Sequence, residues 1–271
     1  MHLSQKNNPC FFIIGGSGTI GKAIAQSFLT NGAKVVITGR NVARLQQARE
    51  DILKDTDNAT TISAMGNNLM AISGDVTEET SVKHIFDETT RLFGLVNILV
   101  NNAGISTPGS IDTLTSNDFD KVMRVNVLGP FLCSKEFIQR VKNVNCNNAD
   151  DSIDNYNDIG GRIINIGSIS SISPRPDSIP YTTSKFALTG LSKSLAIDAR
   201  PYNIAVGQIN PGNVISDMLS PEDIKRRGEL EGFLDSASVA QSVQAMANLP
   251  YSANVLEMTV IPTRQPLIGR G

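Results

Sequence analysis

Tyr181 and Lys185 sit four positions apart in Tyr181-Thr182-Thr183-Ser184-Lys185, the opening of a helix-like segment whose apolar face continues through Leu188, Leu191 and Leu195. At that spacing two side chains share one helix face. A phenol with a pKa of ~10 in water exchanges protons poorly at neutral pH, but an adjacent ammonium favours its anion and brings it toward the working range. Ser168, at the end of a strand-like run, can add a second hydroxyl to the same substrate oxygen, because ligands of open α/β sheets gather at strand ends. Tyr-x-x-x-Lys arises often by chance, so its weight rests on its company.

That company begins near the N-terminus. The apolar run Phe11 to Ile14 leads into Gly15-Gly16-Ser17-Gly18-Thr19-Ile20-Gly21, which contains G-x-G-x-x-G at Gly16, Gly18 and Gly21. Glycines there permit a tight turn and let backbone N–H groups approach a pyrophosphate, while the following helix adds a favourable partial charge. Gly15, Ser17, Gly18, Thr19, Ile20 and Gly21 are therefore the candidate pyrophosphate contacts. A bare glycine-rich turn is the bland alternative; a strand before it and a helix after it favour the nucleotide. About 20 residues on, NAD-binding chains tend to place an acid and NADP-binding chains an Arg. Here the second strand-like run ends Thr38-Gly39-Arg40-Asn41, with an Arg and no acid. A guanidinium binds a 2′-phosphate where a carboxylate would repel it, so Arg40 points to NADP(H), against the alternative of one more solvated surface Arg.

Seven short apolar runs alternate with amphipathic helix-length segments and must position these groups: Phe11 to Ile14, Val35 to Thr38, Met70 to Ser73, Ile98 to Val100, Ile163 to Ile166, Ile204 to Ile209 and Val255 to Ile261. That rhythm predicts a doubly wound, seven-stranded parallel sheet with helices on both faces, a single α/β Rossmann domain over residues 1–271. The first helix should end near Asn31-Gly32. Thr115 with Asp118 has the form of a capping box. Asn143 to Gly160 is crowded with Asn and Asp and reads as a surface insertion, and Asp55 to Asn68 as a lengthened loop. Residues 217–234, with Pro221-Glu222-Asp223 and helical periodicity, read as a lid.

Composition narrows the function classes. The chain has 271 residues, 40% hydrophobic, with Lys plus Arg 24 against Asp plus Glu 26 and a net charge of −2. That balance supplies no electrostatic reason to expect nucleic acid or an anionic membrane. No apolar run approaches the ~20 residues that cross a bilayer, and the polar start, Met1 to Pro9, lacks a signal-like core, so a cytoplasmic location is expected. Cys10, Cys133 and Cys146 lack redox or zinc spacing and read as reduced thiols; His2 and His84 complete no ligand set with them, so no metal is expected.

With the turn, Gly74-Asp75-Val76, Asn101-Asn102-Ala103-Gly104, Asn126, Ser168, the Tyr181/Lys185 pair and Pro211-Gly212-Asn213-Val214-Ile215-Ser216 in order along the chain, the sequence resembles the short-chain dehydrogenase/reductase family from Phe11 to about Thr263. The resemblance implies that Asp75, with Val76 beside it, meets the adenine and that Asn102, Ala103 and Gly104 line the adenosine ribose. It makes Tyr181 the general acid in reduction and base in oxidation, with Ser168 orienting the carbonyl. Lys185 would hold the nicotinamide ribose and depress the Tyr181 pKa, and Asn126 would seat a proton-relaying water. Pro211, Gly212, Val214 and Ser216 would flank the carboxamide. Two features depart from the family pattern T-G-x-x-x-G-x-G: Ile14 replaces its Thr and Thr19 its second Gly, giving the Gly15, Gly18, Gly21 spacing of the extended members.

The tail, Leu256 to Gln265, resembles the NADP-dependent 3-hydroxy acid (serine-type) dehydrogenase branch. The expected activity is NADP(H)-dependent hydride transfer between nicotinamide and a carbonyl or secondary alcohol, with a small 3-hydroxy acid as the substrate the tail suggests. Reduction of a 3-oxoacyl thioester and a non-catalytic NADP-sensing role are the alternatives. The family resemblance also implies a homo-oligomer, tetramer or dimer, with a small molecule as partner.

Overall fold

In the computed structural model, residues 9–54, 65–147, 160–216, 219–250 and 252–267 are described, with the side chains of residues 145–147 set aside. Seven strands, β1 (Cys10–Ile14), β2 (Lys34–Gly39), β3 (Leu69–Ser73), β4 (Ile98–Asn101), β5 (Gly161–Ile166), β6 (Ile204–Pro211) and β7 (Glu257–Val260), form one sheet in the order β3-β2-β1-β4-β5-β6-β7. Every pair is parallel. The strand order reverses between β1 and β4, and in doubly wound sheets the crevice beyond the carboxyl ends at that point is where ligands bind.

The strands are almost continuously apolar because both faces are covered. Along β1, Phe11 and Ile13 join one core while Cys10, Phe12 and Ile14 join the other. The first face is closed by α1 (Thr19–Leu29), α2 (Val42–Lys54) and the C-terminal helix Ser236–Ala247, through Phe28, Leu45 and Val243 among others. The second is closed by α3 (Glu79–Phe93), by α5 (Gly129–Asn147) and by α6 (Ile179–Asp198), through Phe86, Phe137 and Leu195. Phe11 stacks on Phe28 at 3.8 Å between centroids and Phe12 meets Phe86 edge-on at 4.7 Å. Burial of each ring is worth ~1.5–3 kcal/mol.

Helix ends follow the residues expected of them. After α1 the Gly32 and Ala33 amides donate to the Leu29 and Phe28 carbonyls, with Gly32 at φ +78. Such a wrap ties off carbonyls that the helix leaves unpaired. At the start of α4 (Ser116–Met123), Thr115 and Asp118 form the reciprocal capping box.

Other segments differ from expectation. Helix α5 runs on to Asn147, so the first five residues of the polar stretch Asn143 to Gly160 are helical; residues 148–159 lie outside the described set. Residues 65–68 form a helical turn where loop was expected, and 55–64 are not described. β7 is shorter than Val255 to Ile261 and alternates exposed and half-buried, as an edge strand does. Of the 217–234 segment, residues 217 and 218 lie outside the described set, and the rest contains α7 (Pro221–Leu230), helical as its periodicity implied and capped by the Ser220 hydroxyl accepting from the Asp223 amide. Arg162 is fully buried on β5, its Nη2 donating to the Leu249, Pro250 and Ala253 carbonyls beyond the C-terminal helix. Nothing in the apolar pattern of that strand foretold it.

Candidate active site

The glycine turn is built by close approach. Gly15 has φ +73, and a Cβ on it would lie 2.6 Å from the Ala103 Cα; one on Gly21 would lie 2.5 Å from the Gly15 carbonyl. The Gly15 and Gly16 amides both donate to the Thr38 carbonyl, which pins the turn to β2, and Asn102 Nδ2 donates to the Gly15 carbonyl at 2.9 Å, which pins it to β4. Gly18 is the N-cap of α1, where no side chain caps the helix and its first turn, which holds Thr19 and Ile20, has no acid. Those first amides have no side-chain acceptor, and the absent Cβ atoms leave backbone open to an anion. The turn therefore fits a dinucleotide pyrophosphate.

Beyond β2, Arg40 is exposed and its Nη1 lies 3.8 Å from Asp75 Oδ2. The other Asp75 oxygen accepts from the Thr77 amide and hydroxyl at 2.9 and 2.8 Å. The Ser17 hydroxyl lies on the same side, 3.4 Å from where a Gly39 Cβ would be. Val76 is buried beneath Gly129, whose missing Cβ would lie 2.9 Å from Val76 Cγ2. Ser17, Arg40 and Asp75 thus cluster at the ends of β2 and β3, apart from the groups that could handle a proton.

Those groups sit at the ends of β4, β5 and β6. Tyr181 and Lys185 are both buried on α6, with the Lys185 ammonium 5.5 Å from the Tyr181 ring centroid. Lys185 Nζ donates to the Ile166 carbonyl at 2.8 Å. Burial pushes the Lys185 pKa below its ordinary value, while its electrostatic interaction with Tyr181 acts in the opposite direction. Ser168 caps a short turn at Ile169–Ser171: its hydroxyl accepts from the Ser170 amide at 3.1 Å, and its own amide donates to Asn210 Oδ1 at 3.3 Å. Asn126 lies in a π-helical turn, Arg124–Leu128, a distortion frequent at functional sites. Its amide exchanges hydrogen bonds with Ile105 in both directions and donates to the Ser184 hydroxyl. Gly104 faces both Asn126 and Lys185: its absent Cβ would lie 3.6 Å from Asn126 Oδ1 and 3.9 Å from Lys185 Nζ.

A cleft of about 670 Å³ opens in front of this group. Of the residues singled out in the sequence, Ile20, Ser168, Tyr181, Pro211, Gly212, Val214 and Ser216 line it. Lys185 and Asn126 are buried and do not line it, and Gly15, Ser17, Gly18, Thr19, Gly21, Arg40, Asp75, Val76, Asn102, Ala103 and Gly104 follow the ends of β1 to β4. Among the described residues no group of His, Cys, Asp and Glu could hold a metal, and no helix is long and apolar enough to cross a membrane.

Residues 9–227 match the model of the short chain dehydrogenase family. The chain belongs to that family. An oxidoreductase from Thermotoga maritima described as uncharacterized is 36% identical over 209 residues, 76% of this chain and 72% of that protein. The NADP-dependent (R)-specific alcohol dehydrogenase of Lentilactobacillus kefiri is 33% identical over 204 residues, 74% of this chain and 71% of that protein. In fold, the chain is similar to a 3-ketoacyl-(acyl-carrier-protein) reductase from Brucella melitensis complexed with NADH, with a TM-score of 0.80, 24% identity and coverage of 96% and 99% of the two chains. As a short chain dehydrogenase this protein is an oxidoreductase on a nucleotide-binding Rossmann fold.

The cleft of this short chain dehydrogenase also has walls that sequence reasoning passed over. Arg175 stands in Pro174-Arg175-Pro176, ahead of the Tyr181 helix, and its guanidinium carbon lies 5.7 Å from the Tyr181 ring centroid. A cation fixed between two prolines was the legible signal. Arg226, Arg227 and Glu231 reach the cleft from α7 and its end, and Gln265 from beyond β7. Gln265 Oε1 accepts from the Asn213 amide at 2.9 Å, and Glu231 Oε2 accepts from both Asn213 Nδ2 and Gln265 Nε2. Only the fold brings those three segments together.

Proposed function

We propose that this short chain dehydrogenase moves hydride between NADP(H) and a carbonyl or secondary alcohol, a small 3-hydroxy acid being the substrate that its C-terminal resemblance suggests. The observation that carries the reading is the buried Lys185 ammonium 5.5 Å from the ring of Tyr181, whose side chain lines the cleft.

When bound, the reduced nicotinamide supplies hydride. The chain supplies the rest. Tyr181 gives its proton to the carbonyl oxygen in reduction and takes it back in oxidation, while the Ser168 hydroxyl orients that oxygen. Lys185 favours the phenolate that remains and holds the nicotinamide ribose, and Asn126 seats the water that returns the proton. Pro211, Gly212, Val214 and Ser216 flank the carboxamide. The turn from Gly15 to Gly21, including Ser17, Thr19 and Ile20, takes the pyrophosphate, Asn102 to Gly104 the adenosine ribose, and Asp75 and Val76 the adenine edge. Arg40 takes the 2′-phosphate.

A panel of aldehydes, ketones and oxo acids, followed by NADPH and NADH absorbance, tests this reading. Turnover with NADPH is expected, and Tyr181→Phe is expected to lose at least ~100-fold in kcat, the scale of a positioned proton donor. Tight NADPH binding with no turnover of any carbonyl would replace the enzyme with a sensor. A preference confined to 3-oxoacyl thioesters would move the substrate to that class.

A further inference from the structure

Three arginines line the cleft, Arg175, Arg226 and Arg227, and of these the side chain of Arg226 is 66% exposed. Arg175 lies over the phenol ring on the loop after Ser168, and Arg227 comes from α7 with its side chain 16% exposed. The partners differ. Asp223 lies 2.8 Å from Arg226 and 3.6 Å from Arg227, so one carboxylate is divided between two guanidiniums with the shorter contact to Arg226. Glu231 contributes attraction to Arg227, but its Oε2 is already the acceptor for Asn213 and Gln265. Asp177 also borders the cleft, yet among the described residues Arg175 has no carboxylate within 4 Å.

Arg175 and Arg227 are near enough to repel. Burial lowers the proton affinity of Arg227, and the charge of Arg175 lowers it further. Like charges brought together in a partly desolvated wall cost free energy unless an anion enters between them. A planar carboxylate answers that need, because a guanidinium presents paired N–H donors matched to its two oxygens.

We propose that Arg175 and Arg227 form an anion clamp, and that the substrate is a short oxo acid or hydroxy acid whose carboxylate lies between them while its carbonyl or hydroxyl meets Tyr181. This rests on the oxidoreductase reading above. Because Arg175 stands over the very ring that donates the proton, the carboxylate and the reacting carbon are separated by only a few bonds. The acid group is unchanged in the reaction: in reduction the carbonyl carbon gains hydride from the nicotinamide, its oxygen gains the Tyr181 proton, and the carboxylate remains a carboxylate. Arg175 belongs to the loop between β5 and α6 and Arg227 to α7, so an anion between them bridges two separate elements of the cleft wall.

Two measurements test the clamp separately from turnover. First, binding of malonate, an unreactive short dianion, to the NADP⁺-loaded protein is measured by calorimetry in wild type, Arg175→Gln and Arg227→Gln. A charge-assisted hydrogen bond to a carboxylate is worth ~1.5–3 kcal/mol, so each substitution is expected to weaken binding by at least ~10-fold. Malonate binding that both substitutions leave unchanged, or none in wild type, overturns the clamp whatever the protein catalyses. Second, kcat/KM is compared for acetoacetate and for its methyl ester. The acid is expected to be preferred by at least ~10-fold in wild type, and the acid-to-ester ratio of kcat/KM is expected to fall to about one in Arg175→Gln. Equal use of acid and ester overturns the clamp but leaves the oxidoreductase intact. Absence of all turnover alongside Arg-dependent malonate binding overturns the oxidoreductase reading and leaves the clamp.

Discussion

The Lys185 ammonium donates a 2.8 Å hydrogen bond to the carbonyl of Ile166, the last residue of the strand that leads to Ser168. One bond thereby ties the helix carrying the phenol to the strand end carrying the second hydroxyl. A single neutral acceptor only partly replaces the water that a buried ammonium gives up. The lowered pKa of Lys185 is the result, and it makes the amine sensitive to its surroundings.

That shift predicts two pH effects of definite sign. The cation is lost below 10.5, the ordinary lysine value, so kcat for carbonyl reduction is expected to fall on an alkaline limb that starts early. Lys185→Arg, which stays charged, should move that limb upward. For stability, the folded protein binds this proton less tightly than the unfolded chain does. The penalty is therefore fully present below the folded pKa and is relieved as pH rises from that value to ~10.4. Urea midpoints of the cofactor-free protein should rise across that window in wild type and not in Lys185→Met. Identical pH profiles in the two proteins would remove the buried charge from the account.

Arg40 governs the second expected outcome. Its guanidinium is solvent-exposed and only loosely paired with Asp75, at 3.8 Å, so little holds it back from a 2′-phosphate. Arg40→Ala should raise the KM for NADPH by ~10-fold or more, the worth of a charge-assisted bond, and leave the KM for NADH nearly unchanged. Equal effects on both cofactors, measured side by side, would make Arg40 a surface residue.

Much of this architecture was legible because it depends on period and punctuation. Continuous apolar runs marked strands buried on both faces, and the glycines of the first turn marked backbone approach, since Gly15 and Gly21 have no room for a Cβ. What was illegible depends on long-range contact. The π-helical turn that aims the Asn126 amide at Ile105 and Ser184 leaves no mark in residue order. Arg175, Arg227 and Gln265 are distant in sequence and meet only because α7 and the tail fold back over the end of β6. The helical course of residues 143–147 was missed because Asn-rich composition argues for loop, whereas the packed helix before it simply continues.

Gly21→Ala tests the turn. The new methyl would be 2.5 Å from the Gly15 carbonyl, 2.8 Å from Gly16 Cα and 3.0 Å from Asn102 Nδ2, two of them backbone atoms that cannot swing aside. Overpacking of that kind costs ~1–3 kcal/mol and displaces the turn. Expected is a lower melting temperature together with an increase in KM for NADPH that exceeds any change in KM for the carbonyl. A wild-type NADPH KM in the variant would place the pyrophosphate elsewhere.

Ser168 is held from behind by a buried polar chain, and that chain gives the last test. Asn101 donates to Asn165, Asn165 to Ser192, Ser192 to Gln208, Gln208 to Asn210, and Asn210 to Glu257, each at 2.7–2.9 Å. Asn210 Oδ1, which takes the Gln208 proton, also accepts from the Ser168 amide at 3.3 Å. Asn210 is fully buried, so Asn210→Ala strands donors that water cannot reach, at ~1–3 kcal/mol of stability. If its role is to position Ser168, kcat should drop ~10-fold while the KM for NADPH holds. The loss should also vanish in a Ser168→Ala background, because two residues acting through one contact are not additive. Additive losses in the double variant would mean that Asn210 serves the sheet alone and that Ser168 is oriented by its own turn at Ile169–Ser171.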